Sequence, residues 1–312
     1  MLKPLESFDF EEKRKEVYDK IFSNGLEGLT PSISNPFIHE IVERNYRKYF
    51  NSDPKNVMGL FNDFGQRCDD FKTNHDAKLH VLYSGCSFTY AEGVPIDLSW
   101  SGIVNKYINK NLCETSGYFN VAKGGSNFKD MENHIFAYMK YSGKPDVIFI
   151  NIPEIGREYL EYRVSLRTLN DNTNSKPSIK DELITIESFR NRLLNFKRIC
   201  DMLNIQLFIG CWTMNSTNYW ELSSEFKNPF VGLDVINVGG TAWPLHSYDN
   251  SDLGYPEIKK QIIDDVGENS PLLNIIHLAL DDAHPGLLGH RIMADCFIKA
   301  IEQRGLKRED SL

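Results

Sequence analysis

The chain has 312 residues, 41% of them hydrophobic and 25% charged, a balance that suits a globular protein with a sizeable core and argues against long disorder. Its formal charge of −8 at pH 7 argues against a nucleic-acid partner, because that affinity comes from clustered Lys and Arg. No stretch reaches the roughly 18 to 20 apolar residues of a membrane span, and Met1-Leu2-Lys3 runs into Glu11-Glu12-Lys13-Arg14-Lys15 without the apolar core of a signal peptide. The expectation is a cytosolic protein with no membrane partner.

In chain order, residues 1–75 show helical, charge-rich and aromatic stretches (Phe10 to Phe22, Pro36 to Phe50) broken by Gly25, Gly28 and Pro31, and no alternating strand pattern. They read as an N-terminal helical extension. From residue 76 to 312 the pattern changes to short apolar runs, Val81 to Tyr83, Tyr118 to Ala122, Val147 to Ile152, Gln206 to Trp212 and Leu273 to Leu280. Such runs suit strands buried on both faces of a parallel sheet. Helices are predicted between and after them at Ser101 to Leu112, Lys129 to Tyr141, Ile186 to Leu203 and Gly289 to Arg304. Strand and helix in alternation predict a three-layer α/β/α domain around a parallel sheet of about five strands, with its site outside the carboxyl ends of the strands.

Polar motifs follow those predicted strands. Ser84-Gly85-Cys86-Ser87-Phe88-Thr89 follows the first, Gly124-Gly125 the second, Asn151 ends the third, and Asp281-Asp282-Ala283-His284-Pro285 follows the last. A serine hydroxyl is nearly inert at neutral pH until an imidazole takes its proton and a carboxylate orients that imidazole. Ser87, His284 and Asp281 are the candidates for the three roles. The six cysteines, Cys68, Cys86, Cys113, Cys200, Cys211 and Cys296, have no metal-ligand spacing and read as reduced, so no structural metal is expected.

These blocks resemble the SGNH (GDSL-type) hydrolase superfamily over residues 79 to about 304. Gly85-Cys86-Ser87-Phe88-Thr89 is similar to the family's first block, in a variant of a kind frequent in phage and bacterial sequences, and Asp281-x-x-His284-Pro285 leading into Gly289-His290 is similar to its last. The resemblance implies a flavodoxin-like sheet and an acyl-enzyme mechanism without metal or cofactor, with Ser87 as nucleophile, His284 as base and Asp281 as its orienting acid. It puts the oxyanion glycine on Gly125, or on Gly124 if the register slips. The third block departs from the pattern. The family's Asn follows the third strand, whereas Ile150-Asn151-Ile152-Pro153 puts Pro153, which has no donor, at that position. Asn151, two residues earlier, is the candidate substitute.

The resemblance implies removal of a small acyl group such as acetyl from a hydroxylated or carbohydrate-like small molecule or glycan ester. Acyl transfer to another hydroxyl is an alternative. So is a weak or silent SGNH fold serving as a binding or structural module, for example on a viral particle. Trp212 and Trp243, with Arg157 near the entrance, are candidate substrate-binding residues, although such aromatics more often pack a long loop. His290 reads as a surface residue of the last helix.

Overall fold

The strand that leads to Ser87 is β1 (Leu79–Gly85), followed by a single helical turn, α1 (Ser87–Tyr90), a 3-10 turn (Ile96–Leu98) and α2 (Trp100–Asn111). Then come β2 (Ser116–Asn120), α3 (Phe128–Ser142), β3 (Val147–Ile152), α4 (Ile179–Met202), β4 (Gln206–Cys211) and β5 (Val235–Asn237). The chain closes with α5 (Pro256–Val266), a second 3-10 turn (Pro271–Ile275) and α6 (Leu287–Arg304). The computed structural model describes residues 45, 48, 62, 66–68, 71, 77–153, 179–212, 233–238, 255–280 and 284–306.

All five strands are parallel, in the order β2-β1-β3-β4-β5. That is the flavodoxin-like doubly wound order. Helices cover both faces, which explains why every residue of β3 is buried and why the sequence shows a continuous apolar run there instead of an alternation. On one face Trp100 of α2 stacks on Phe297 of α6 at 4.5 Å, and Phe149 of β3 meets Phe297 edge-on at 5.8 Å. On the other face Phe128 of α3 meets Phe189 and Phe196 of α4 at 5.7 and 5.9 Å. Burying one such ring stabilises the fold by roughly 1.5 to 3 kcal/mol.

Helix starts follow local chemistry. Ser99 Oγ accepts the Gly102 N–H at 3.1 Å and so caps α2. Asn127 and Asp130 form a reciprocal capping box at the start of α3, with Asp130 N–H donating to Asn127 Oδ1 at 2.9 Å.

Two expectations are corrected. The run Leu273 to Leu280 is not a strand: it begins in the second 3-10 turn and continues as loop, with Leu278 in an isolated antiparallel bridge to Pro285. Its apolar side chains serve a second, smaller cluster in which Ile275, Ile276, Ala279 and Leu280 pack with Ala91, Val94, Leu287 and Leu288. The fifth strand is instead Val235–Asn237, a three-residue edge strand whose residues are partly exposed, too short to carry a periodic signal.

Of the expected N-terminal extension over residues 1–75, Asn45 and Lys48 are helical, and Phe71 packs on Phe119 of the edge strand β2 at 6.3 Å. No helix among the described residues is long and apolar enough to cross a membrane. All six cysteines are free thiols.

Candidate active site

Ser87 occupies the first position of α1, directly past the carboxyl end of β1, and is 6% exposed. A backbone N–H at that position has no intrahelical acceptor and is open to an external one. The sharp exit from the strand explains the glycine two residues before the serine: a Cβ on Gly85 would lie 1.9 Å from Thr89 Oγ1 and 3.1 Å from the Asn151 carbonyl. Asn120, at the end of β2, joins this turn to the next loop. Its amide donates to the Thr89 carbonyl at 2.9 Å, and its Oδ1 accepts the Ala122 N–H at 3.0 Å.

The β2–α3 loop then passes the serine. Lys123 N–H donates to the Gly85 carbonyl at 3.2 Å. A Cβ built on Gly124 would lie 3.9 Å from Ser87 Cβ and 3.4 Å from Glu92 Oε2, so Gly124 sits beside the serine. Gly125 is one residue further out, exposed, with a φ of +77° and open space around it.

His284 arrives on a loop closed at its base. Ala279 N–H donates to the His284 carbonyl and Gly286 N–H to the His277 carbonyl, both at 2.9 Å, flanking the Leu278–Pro285 bridge. Gly286 is required here by close approach, since a Cβ would meet the Ile275 carbonyl oxygen at 2.1 Å and the backbone of His277 and Leu278 within 3 Å. The half-buried His284 ring meets Phe88 edge-on at 5.8 Å. Because Phe88 is the residue after Ser87, nucleophile and base candidates, almost the whole domain apart in sequence, share one neighbour. Asp281 lies outside the described residues.

His290 is not the surface residue expected: it is 1% exposed. Its Nδ1 accepts the Trp100 N–H at 3.1 Å, which puts the proton of the neutral ring on Nε2. Burial, and then the charges of His284 and Arg67, push its pKa down to about 3. The sequence carried a signal for this, since α6 turns an unbroken apolar face to the sheet and His290 falls on it.

Asn151 pairs in register with Gly85, two residues before the serine. It is fully buried, and its amide donates to Met293 Sδ of α6 at 3.5 Å. Pro153 is buried as well. Trp212, at the end of β4, is 5% exposed and stacks on Phe88 at 4.6 Å, so it packs behind the nucleophile turn. Trp243 and Arg157 lie outside the described residues. Among the described residues no group of three or more His, Cys, Asp or Glu side chains is arranged to hold a metal.

No family model matches this sequence, and no curated protein matches it significantly. Solved structures similar to the chain include a lipase from a goat rumen metagenome, at 14% identity and a TM-score of 0.42, covering 74% of this chain and 99% of the lipase. A member of the lipolytic G-D-S-L family from Veillonella parvula is 16% identical with a TM-score of 0.38, covering 72% of this chain and 98% of that one. A catalytic mutant of an acetylxylan esterase from Geobacillus stearothermophilus is 14% identical with a TM-score of 0.38, covering 74% and 96%.

Proposed function

We propose that the protein is a serine esterase of the SGNH type that removes a small acyl group, such as acetyl, from a hydroxylated or carbohydrate-like substrate. The observation that carries this reading is the convergence of Ser87, Gly124 and, through Phe88, His284 at the carboxyl edge of a parallel sheet.

Ser87 Oγ attacks the ester carbonyl carbon while its proton passes to His284. The carbonyl oxygen becomes an oxyanion held by the Ser87 N–H and an N–H of Gly125 or Gly124. Collapse of the tetrahedral intermediate breaks the bond to the alcohol, which leaves with the proton that His284 returns. Water then repeats the sequence on the acyl-enzyme, releasing the acid and restoring the serine. Asp281 orients His284, and Asn151 is the candidate third oxyanion donor. A sugar hydroxyl in place of water makes the same machinery an acyltransferase.

The test is labelling with a fluorophosphonate, read by intact mass, in the protein and in Ser87→Ala and His284→Ala. The expected result is one adduct per chain, lost in both variants. A folded protein that takes no adduct overturns the esterase. That outcome would favour a second reading, a binding or structural module on the same fold, which has one observation behind it: the Asn151 amide is engaged with Met293 while Pro153 offers no donor.

A further inference from the structure

Residues that precede β1 reach into three separate loops around Ser87. Arg67 is fully buried. Its Nη1 donates to the carbonyls of Tyr90, at 3.2 Å, and Ala91, and its Nη2 donates to the Val94 carbonyl at 2.7 Å. The guanidinium also lies over the Tyr90 ring, 5.7 Å from its centroid. These carbonyls belong to the turn that leaves α1, in which Ala91 takes a left-handed φ of 62°. A planar fork with five N–H donors can satisfy several converging acceptors at once, which an ammonium on a flexible stem cannot do in the same geometry.

The same turn holds Glu92, which is 4% exposed and whose Oε2 is the atom that faces Gly124. The carbonyls that Arg67 gathers lie on both sides of Glu92 in the chain, so holding them fixes where that side chain sits against Gly124. From the turn the connection continues to the base. Leu280 N–H donates to the Gly93 carbonyl at 3.1 Å, and the Leu280 carbonyl, one residue before Asp281, accepts Asn45 Nδ2 at 2.7 Å. Cys68 Sγ meets the Asn120 carbonyl at 3.6 Å, at the start of the loop that carries Gly124.

We propose that Arg67 is a positioning residue: it fixes the backbone of residues 90–94 behind Ser87, and with it the place of Glu92 beside Gly124. The inference rests on the esterase reading above for its catalytic meaning, and on geometry for the clamp itself.

The experiment compares the unmodified chain with Arg67→Lys and Arg67→Met, each checked for folding by its thermal transition. Hydrolysis of p-nitrophenyl acetate gives kcat and KM, and amide hydrogen exchange reads residues 90–94. Arg67→Met is expected to lower kcat by about 10- to 100-fold with KM within about twofold, since misplaced groups lose rate more than ground-state binding. Arg67→Lys recovers part of that loss because its ammonium can still donate to some of the carbonyls without the fork. Exchange at 90–94 accelerates in both variants.

If Arg67→Met does not fold, Arg67→Lys carries the test. A folded Arg67→Met with unchanged kcat overturns the positioning role. If the unmodified protein takes no fluorophosphonate adduct and hydrolyses nothing, the esterase reading fails and the catalytic part of this proposal fails with it. Exchange at 90–94 that is unchanged in Arg67→Lys overturns the clamp independently.

Discussion

Single residues here hold more than their type suggests. Gly286, two positions after His284, fills a space bounded by backbone on three sides. Gly286→Ala is expected to cost about 1 to 3 kcal/mol in stability, because the overlap is with main chain that cannot rotate away, and, on the esterase reading, to lower the hydrolysis rate by displacing the His284 turn. Urea denaturation with a parallel rate measurement reads both. His290 makes a second prediction. Held neutral with a pKa near 3, it takes up no proton in the folded state until well below the pH at which an unfolded imidazole, near 6.5, does so. His134, pushed down to about 4 by burial and then by Lys123, behaves alike. The unfolded state therefore binds more protons below about pH 6.5, so stability is full above that pH and falls as pH drops toward 4, by up to about 1.4 kcal/mol per pH unit for each ring. Denaturation midpoints at pH 7, 6 and 5 check this, and His134→Gln is expected to flatten the slope; a midpoint constant from pH 7 to 5 would refute it. The turn at Ser87 was legible in the sequence because a glycine, a serine and an apolar run occur in the order that a strand-to-helix turn needs. Arg67 was not: it falls outside the helical stretches read from the sequence, and nothing local marks a guanidinium that a distant loop will bury.

At the level of elements, the central strands were readable because burial on both faces leaves an uninterrupted apolar run, as in β3. The last strand was misassigned for the same reason in reverse. Leu273 to Leu280 is apolar because it feeds the satellite cluster, and burial without a ladder looks, in one dimension, like burial within one. β5 escaped notice because three half-exposed residues carry no period. Helix ends were more predictable: Asn127→Ala, which removes one half of the capping box, is expected to destabilise α3 by about 1 kcal/mol, measurable as a shift in the urea midpoint. Because the Asn127 cap stands three residues after Gly124, that variant is also expected to lower the fluorophosphonate labelling rate.

For the molecule as a whole, sheet position orders local stability. β1, β3 and β4 are paired on both sides, whereas β2 and β5 are edges. Amide hydrogen exchange is expected to be slowest in β3 and clearly faster in β5, where opening exposes little apolar surface; equal protection in the two strands would contradict the sheet order. The satellite cluster links the turn after Ser87 to the loop that carries His284, while Cys86 and Phe88, on either side of the serine, belong to the main sheet core.

The strand order has a consequence for biogenesis. β1, with Ser87, is made before both of its neighbours in the sheet, and His284 and α6 follow every strand. At ribosomal rates of about 5 to 20 residues per second, roughly 10 to 40 s separate the emergence of the serine from that of the histidine. Throughout that interval the Ser87 turn lacks the His284 ring that meets Phe88 in the folded protein. On the esterase reading, the chain is chemically silent until the His284 loop and the helix after it settle against the sheet.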